Sequence, residues 1–175
     1  MTSVVAVPIV FIDEEPYLVF IRRSRRLSRH ANQIAFPGGI VENEETLTEA
    51  MFRELEEEIG VSRNSCKFLG ELSSTVTGKS NLFVQAFLVV IERPHFKLNT
   101  FEVQDLYFVA LSQLKETGCE EVTFPDGRKT CRFVIDDLVI WGATARIVKD
   151  SLRKIERLLE GCRNEFSGDE SDEPD

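Results

Sequence analysis

Three carboxylates, Glu54, Glu57 and Glu58, stand at i, i+3 and i+4 in the stretch FPGGIVENEETLTEAMFRELEEEIG that runs from Phe36 to Gly60. On a helix such positions are neighbours about 5–6 Å apart, where like charges repel and destabilise the helix in isolation. The helix itself is well marked. Thr46 and Glu49 form a capping box that starts it near Leu47, and Gly60 supplies its stop. At about 100° per residue, Leu47, Met51, Leu55 and Ile59 share one broad apolar arc that must face a core. Glu54 and Glu58 fall inside that arc, Arg53 and Glu57 on its edge, and Glu49 and Glu56 point to water. A solvated acidic face therefore accounts for Glu49 and Glu56 but poorly for Glu54 and Glu58. Burying a carboxylate costs on the order of several kcal/mol unless something neutralises it. A hard divalent cation does so directly: Mg²⁺ and Mn²⁺ prefer carboxylate oxygens and bridge them to substrate phosphates.

The turn ahead of this helix, Pro37-Gly38-Gly39, lets backbone N–H and carbonyl groups come close to a ligand because no Cβ stands in the way. Further upstream, Val4 to Ile12 and Tyr17 to Arg22 are β-branched or aromatic runs separated by the turn signal DEEP. The stretch from Arg22 to His30 is densely basic. Beyond Gly60, strands are expected around Lys67 to Leu72 and from Leu82 to Ile91, the latter apolar on both faces as a central buried strand should be. Phe124-Pro125-Asp126-Gly127 is expected to turn a hairpin between Glu120 to Phe124 and Thr130 to Ile135. Leu138 to Leu159 has helical spacing, with Asp136 or Asp137 as N-cap and Gly161 just past its end. These elements predict one α/β or α+β domain with a mixed sheet inside and helices outside.

Composition bounds the function classes. A chain of 175 residues that is 42% apolar supports one compact domain with a real core. The net charge of −9 disfavours general binding to nucleic acid or to an anionic membrane surface. The domain is expected over residues 1–163, followed by a solvating acidic tail over 164–175 that carries Asp169, Glu170, Asp172, Glu173 and Asp175. Cys66, Cys119, Cys131 and Cys162 show no paired spacing, which predicts reduced thiols and a cytoplasmic location, without a zinc site or disulfide framework. The apolar N-terminus lacks a basic lead-in and stops at Asp13, too short to span a bilayer.

Gly39, five residues, Glu45, seven residues and then Arg53-Glu54-Leu55-Glu56-Glu57-Glu58-Ile59-Gly60-Val61 resembles the Nudix box, G-x5-E-x7-R-E-U-x-E-E-x-G-U with U aliphatic, at every defined position. The resemblance implies the Nudix α/β/α sandwich with a central mixed β-sheet. It also implies Mg²⁺- or Mn²⁺-dependent hydrolysis of a nucleoside diphosphate linked to another moiety. By the same resemblance Glu54, Glu57 and Glu58 hold metal, Arg53 orients one of these carboxylates, and the Gly38 carbonyl is a further ligand. Glu45 belongs to the box without a chemical role that the sequence supplies.

The preceding stretch, LVFIRRSRRLSRHANQIAFPGG, resembles the element L-L-T-x-R-S-x3-R-x3-G-x3-F-P-G-G of the coenzyme A pyrophosphatase subgroup through Arg23, Ser24, Phe36, Pro37, Gly38 and Gly39. Ile21, Ser28 and Asn32 depart from it. Coenzyme A carries a diphosphate and a 3′-phosphate, and an acidic protein must meet those charges with a local basic patch. Arg suits phosphate through its bidentate fork. Arg23 and Arg29, with Gly38 and Gly39, are the expected substrate contacts, and His30 is equally well read as a surface residue. Glu57 is the favoured general base, with Glu54 and Glu102 as alternatives. The expected partner is a small-molecule nucleotide substrate, and a homodimer is suggested by family analogy alone. Two further readings stand beside coenzyme A hydrolysis: a pyrophosphatase for ADP-ribose, dinucleoside polyphosphates or a nucleoside triphosphate, and a non-catalytic nucleotide-binding module.

Overall fold

The computed structural model describes the backbone of residues 1–167 and the side chains of residues 1–163. The four runs expected as strands in the N-terminal two thirds join three further segments in one mixed sheet of seven strands. Its strands are β1 (Thr2–Ile12), β2 (Glu15–Arg23), β3 (Ile34–Ala35), β4 (Gly38–Ile40), β5 (Cys66–Val76), β6 (Phe83–Ile91) and β7 (Val103–Ala110). The path β3-β2-β1-β6-β5 forms the body of the sheet, with β4 paired to β1 and β7 to β2. β1 and β6 run parallel, with Val5 opposite Ala86, and every other pairing is antiparallel.

Alternation along β1 sends side chains to two separate cores. Val4, Ala6 and Val10 face α1 (Leu47–Ile59), where Met51, Leu55 and Ile59 are fully buried. Val7 and Ile9 face the opposite layer, made of α2 (Leu111–Thr117), α3 (Gly142–Ser167) and a second sheet of β8 (Glu120–Thr123), β9 (Lys129–Ile135) and β10 (Leu138–Trp141). The architecture is thus the expected α/β/α sandwich around a mixed sheet, enlarged by a three-stranded sheet whose inner face, with Phe133 and Ile140 fully buried, completes the second core.

Three local expectations are corrected. Leu138 to Trp141 is a strand and not the first turn of the last helix, because its apolar residues pair across the turn with Ile135, Val134 and Phe133. Asp136, at φ 51°, sits in that turn and caps nothing. α3 also runs through Gly161 to Ser167. The cost of a mid-helix glycine, about 1 kcal/mol, is offset there by burial of Leu159 and Cys162 and by Arg163, which stacks on Phe11 and donates to the Glu14 carbonyl. Residues 168–175 of the expected acidic tail lie outside the described residues.

The cysteine expectation is also corrected: Cys119 and Cys131 are joined in a disulfide, and Cys66 and Cys162 are the free cysteines. The antiparallel register that places Glu120 opposite Arg132 and Glu121 opposite Cys131 brings the Cα atoms of Cys119 and Cys131 to 5.7 Å. A spacing of twelve residues across a hairpin carries no pairing signature of its own, which is why the four thiols read as unpaired. The thiol-based ground for a cytoplasmic location falls with it.

Candidate functional site

α1 begins as its sequence dictates. Thr46 accepts from the Glu49 N–H, Glu49 reaches back to the Thr46 N–H, and Gly60 closes the helix in the left-handed region at φ 74°. Gly60 is required twice over, because a Cβ there would also lie 2.7 Å from the Lys97 carbonyl. The helix packs under β4, so its acidic edge meets the Gly-Gly backbone. Glu58, 3% exposed, accepts the Gly38 N–H at 2.9 Å. Glu54 lies against Gly39 so closely that a Cβ on that glycine would sit 2.6 Å from the carboxyl carbon. Ser3 on β1 donates to the Gly39 carbonyl at 2.9 Å and fixes the loop from the other side.

Arg53 organises the edge of this cluster. Its Nε donates to Glu45 at 2.7 Å and its Nη2 to the other Glu45 oxygen at 3.0 Å, while Nη1 reaches Glu54 at 2.9 Å and Glu57 at 3.3 Å. Nη2 also donates to the Ile40 carbonyl just after the Gly-Gly turn. The Glu45 hydrogen bonds are the main reason the guanidinium is held even more firmly protonated than usual, and Arg53 in turn keeps Glu45 below the ordinary carboxylate range. Glu45, which belongs to the box without an evident role in the sequence, is therefore the anchor of Arg53. The eight-residue spacing across a loop and a capped helix start hides this pairing from any local pattern.

Glu54 and Glu58 stand apart from the surface acids in their electrostatics. Burial, first of all, pushes Glu58 up to about 8; the nearby Glu54 and Glu102 charges add to this, against the Gly38 N–H and the Arg23 guanidinium. Glu54 is raised for the same leading reason, with Arg53 opposing. Glu57 is exposed, as are Glu49 and Glu56. The core-facing assignment of Glu54 and Glu58 and the outward one of Glu49 and Glu56 agree with this burial.

Glu102 reaches the cluster by a strap that the sequence does not reveal. After β6 the chain crosses the C-terminal end of α1, where the Lys97 N–H donates to the Ile59 carbonyl and the Asn99 N–H to the Glu58 carbonyl, each at 2.9 Å. Asn99 then accepts the N–H groups of Glu102 and Val103 on its carbonyl and that of Phe101 on its side chain. The Glu102 carbonyl in turn accepts the Ser24 N–H at 2.8 Å, which ties the strap to the basic segment after β2. Arg23 lies within electrostatic reach of Glu58, and its Nε is buried without a hydrogen-bond partner. Arg29 is exposed and offers Arg23 only its carbonyl, at 3.4 Å. Arg22 is structural: it donates to the Tyr107 hydroxyl and the Asn32 carbonyl. His30 contacts Gln33.

Among the described residues no three acidic, His or Cys side chains are gathered into a ready cation cage; Arg53 lies between Glu54 and Glu57. The donor set nevertheless fits a hard divalent ion, since it consists of carboxylate oxygens of which one is almost wholly buried and resists ionisation without a counter-charge.

The site is a Gly-Gly turn pressed against the acidic edge of a capped helix, inside an α/β/α sandwich. The chain belongs to the Nudix family: the NUDIX domain model matches residues 2–126. An uncharacterized Nudix hydrolase NudL from Yersinia enterocolitica is 30% identical over 152 residues, covering 84% of this chain and 77% of that protein. Nudix hydrolase 3 from Caenorhabditis elegans is 32% identical over 119 residues, 65% of this chain, and the match spans only 50% of that relative's length. Among solved structures, a C. elegans Ap4A hydrolase binary complex superposes with TM-score 0.63 at 16% identity, covering 91% of this chain and 98% of that one. A MutT/nudix family protein from Enterococcus faecalis gives 0.61 at 15% identity over 89% of this chain and 62% of that one. These likenesses show the fold.

Proposed function

We propose that this protein hydrolyses the diphosphate of coenzyme A or its thioesters, releasing adenosine 3′,5′-bisphosphate and 4′-phosphopantetheine. The observation that carries the hydrolase reading is the near-complete burial of Glu58 beside Glu54 and Glu102, with Arg23 the nearby cation. Such a group of acids is costly in a bare protein and is suited to a site that works with a cation and a polyanion. Glu54, Glu57 and Glu58, with the Gly38 carbonyl, are the residues that would hold Mg²⁺ or Mn²⁺. When bound, the ion neutralises the diphosphate and raises the acidity of water.

The chain's own groups then divide the work. Arg53, fixed by Glu45, orients Glu54 and Glu57. Glu57 is the most exposed of the three box acids and is the favoured base; Glu54 and Glu102 are the alternatives. The base takes a proton from water as its oxygen attacks one phosphorus in line, the bridging P–O bond breaks, and the other phosphate leaves with the electron pair. The unpartnered Nε of Arg23 is suited to a phosphate oxygen, and Arg29 stands beside it. No covalent intermediate is needed.

The coenzyme A assignment draws on the subgroup element around Arg23-Ser24 and Phe36 to Gly39 and on the basic segment that contains it. The departures at Ile21, Ser28 and Asn32 favour keeping a second reading, a Nudix pyrophosphatase for another nucleoside diphosphate derivative such as ADP-ribose. Retention of every box carboxylate argues against a non-catalytic binding module. The test is turnover of coenzyme A with Mg²⁺ or Mn²⁺ set against ADP-ribose, dinucleoside polyphosphates and nucleoside triphosphates. Much faster turnover of any of these than of coenzyme A overturns the substrate assignment, and full activity in both Glu57→Gln and Glu58→Gln overturns the site.

A further inference from the structure

We propose that the open cleft between the turn after β2 and the strap leading into β7 is a subsite for a phosphomonoester that the substrate carries in addition to its scissile diphosphate; the assignment rests on the diphosphatase reading above. The cleft has a volume of about 380 Å³ and is lined by Ser24, Arg25 and Arg26 on one side and Thr100, Val103 and Gln104 on the other. Its two walls are joined by the Ser24 N–H to Glu102 carbonyl bond. On each wall the neighbouring residue belongs to the acidic centre: Arg23 precedes Ser24, Glu102 precedes Val103, and the charges of both act on Glu58. The cleft therefore opens directly beside the place where a diphosphate would react.

Its chemistry is that of an anion site. Ser24, 5% exposed, accepts the Arg26 N–H on its hydroxyl and the Leu27 N–H on its carbonyl, and this tight turn sets Arg25 and Arg26 side by side on the cleft wall. Neither guanidinium makes an ion pair or hydrogen bond among the described residues, although the chain carries a net charge of −9. Arg53, Arg128 and Arg132, by contrast, are each engaged with carboxylates. Two unengaged guanidiniums, with Thr100 and Gln104 lining the other wall, match a phosphomonoester dianion in charge and in the kind of donors they offer. Arg25 and Arg26 lie at positions that the resembled coenzyme A element leaves unconstrained, while its second arginine is Ser28 here. The pair thus supplies in this chain a positive charge that the element places elsewhere.

The experiment uses the full chain and two paired comparisons. Calorimetry compares adenosine 3′,5′-bisphosphate with adenosine 5′-monophosphate, and steady-state kinetics compare coenzyme A with 3′-dephospho-coenzyme A. The wild type should favour the extra phosphate by about ten-fold or more in Kd and KM. The double variant Arg25→Ala/Arg26→Ala should bring both ratios close to one, and Arg25→Lys/Arg26→Lys should keep part of the preference. A preference that survives in the alanine variant, or none in the wild type, overturns the subsite. If no diphosphate compound is hydrolysed but the binding preference exists and depends on the two arginines, the subsite stands and the diphosphatase reading falls.

Discussion

Glu45 grips Arg53 with both carboxylate oxygens, at 2.7 and 3.0 Å, and so links the loop before α1 to the residue that donates hydrogen bonds to Glu54 and Glu57. A residue acting this way should matter to rate more than to folding. Glu45→Gln is expected to lower kcat by roughly 10- to 100-fold, the range for partners that orient a metal ligand, while the thermal midpoint changes little. Steady-state kinetics paired with a melting curve check it.

Gly39 tests the approach of the helix to the loop. A Cβ there would overlap the Glu54 carboxylate, so Gly39→Ala must displace one or the other. Because a misplacement of about 1 Å can cost on the order of a hundred-fold in rate, activity should fall by about that factor. Circular dichroism should show an intact fold, and an alanine variant with wild-type kcat would contradict the contact.

Glu58 makes the metal-free protein sensitive to pH. Its folded pKa, pushed up to about 8 from an ordinary value near 4.5, means that between those values the folded state binds more protons than the unfolded one. Stability is then highest below the lower value and falls as pH rises through the upper one. In chelator, the melting midpoint should decline from about pH 5 to pH 8, and added Mn²⁺ or Mg²⁺ should restore it at the alkaline end. Glu58→Gln should flatten the profile.

Glu102 separates a positioned acid from a bystander. If it serves as base or extra ligand, Glu102→Gln should lower kcat by about 10²-fold or more and change the acid limb of the pH–rate profile. Asn99→Ala, which removes the acceptor of the Phe101 N–H, should show the same tendency to a lesser degree, and Asn99→Asp should recover it. An unchanged pH profile in Glu102→Gln would confine the acid chemistry to the three box glutamates.

The disulfide is checked by counting thiols. Unfolded without reductant, the chain should bind two equivalents of a maleimide, at Cys66 and Cys162, and four after reduction. In the folded protein Cys66 should react slowly, because burial pushes its thiol up to about 11 and leaves little thiolate near neutral pH.

What the sequence by itself determined is what short-range physics writes into neighbouring residues. The capping box, the Gly60 stop and the 3.6-residue period located α1 and separated Glu54 and Glu58 from Glu49 and Glu56, and the spacing from Gly39 to Val61 pointed to the family. The expected helix from Leu138 to Leu159 begins instead with a strand, because four apolar residues fit a strand as well as a helical turn and only the facing strand β9 decides between them. The same limit hid the Cys119–Cys131 pairing, the Glu45–Arg53 anchor and the route by which Asn99 and Ser24 hold Glu102. None of these is set by adjacent residues alone: Glu45 and Arg53 lie 8 residues apart, Cys119 and Cys131 lie 12 apart, and Ser24 and Glu102 are separated by strands β3 to β6. Their meeting is decided by how strands pair and helices pack, after local propensity has nothing more to say.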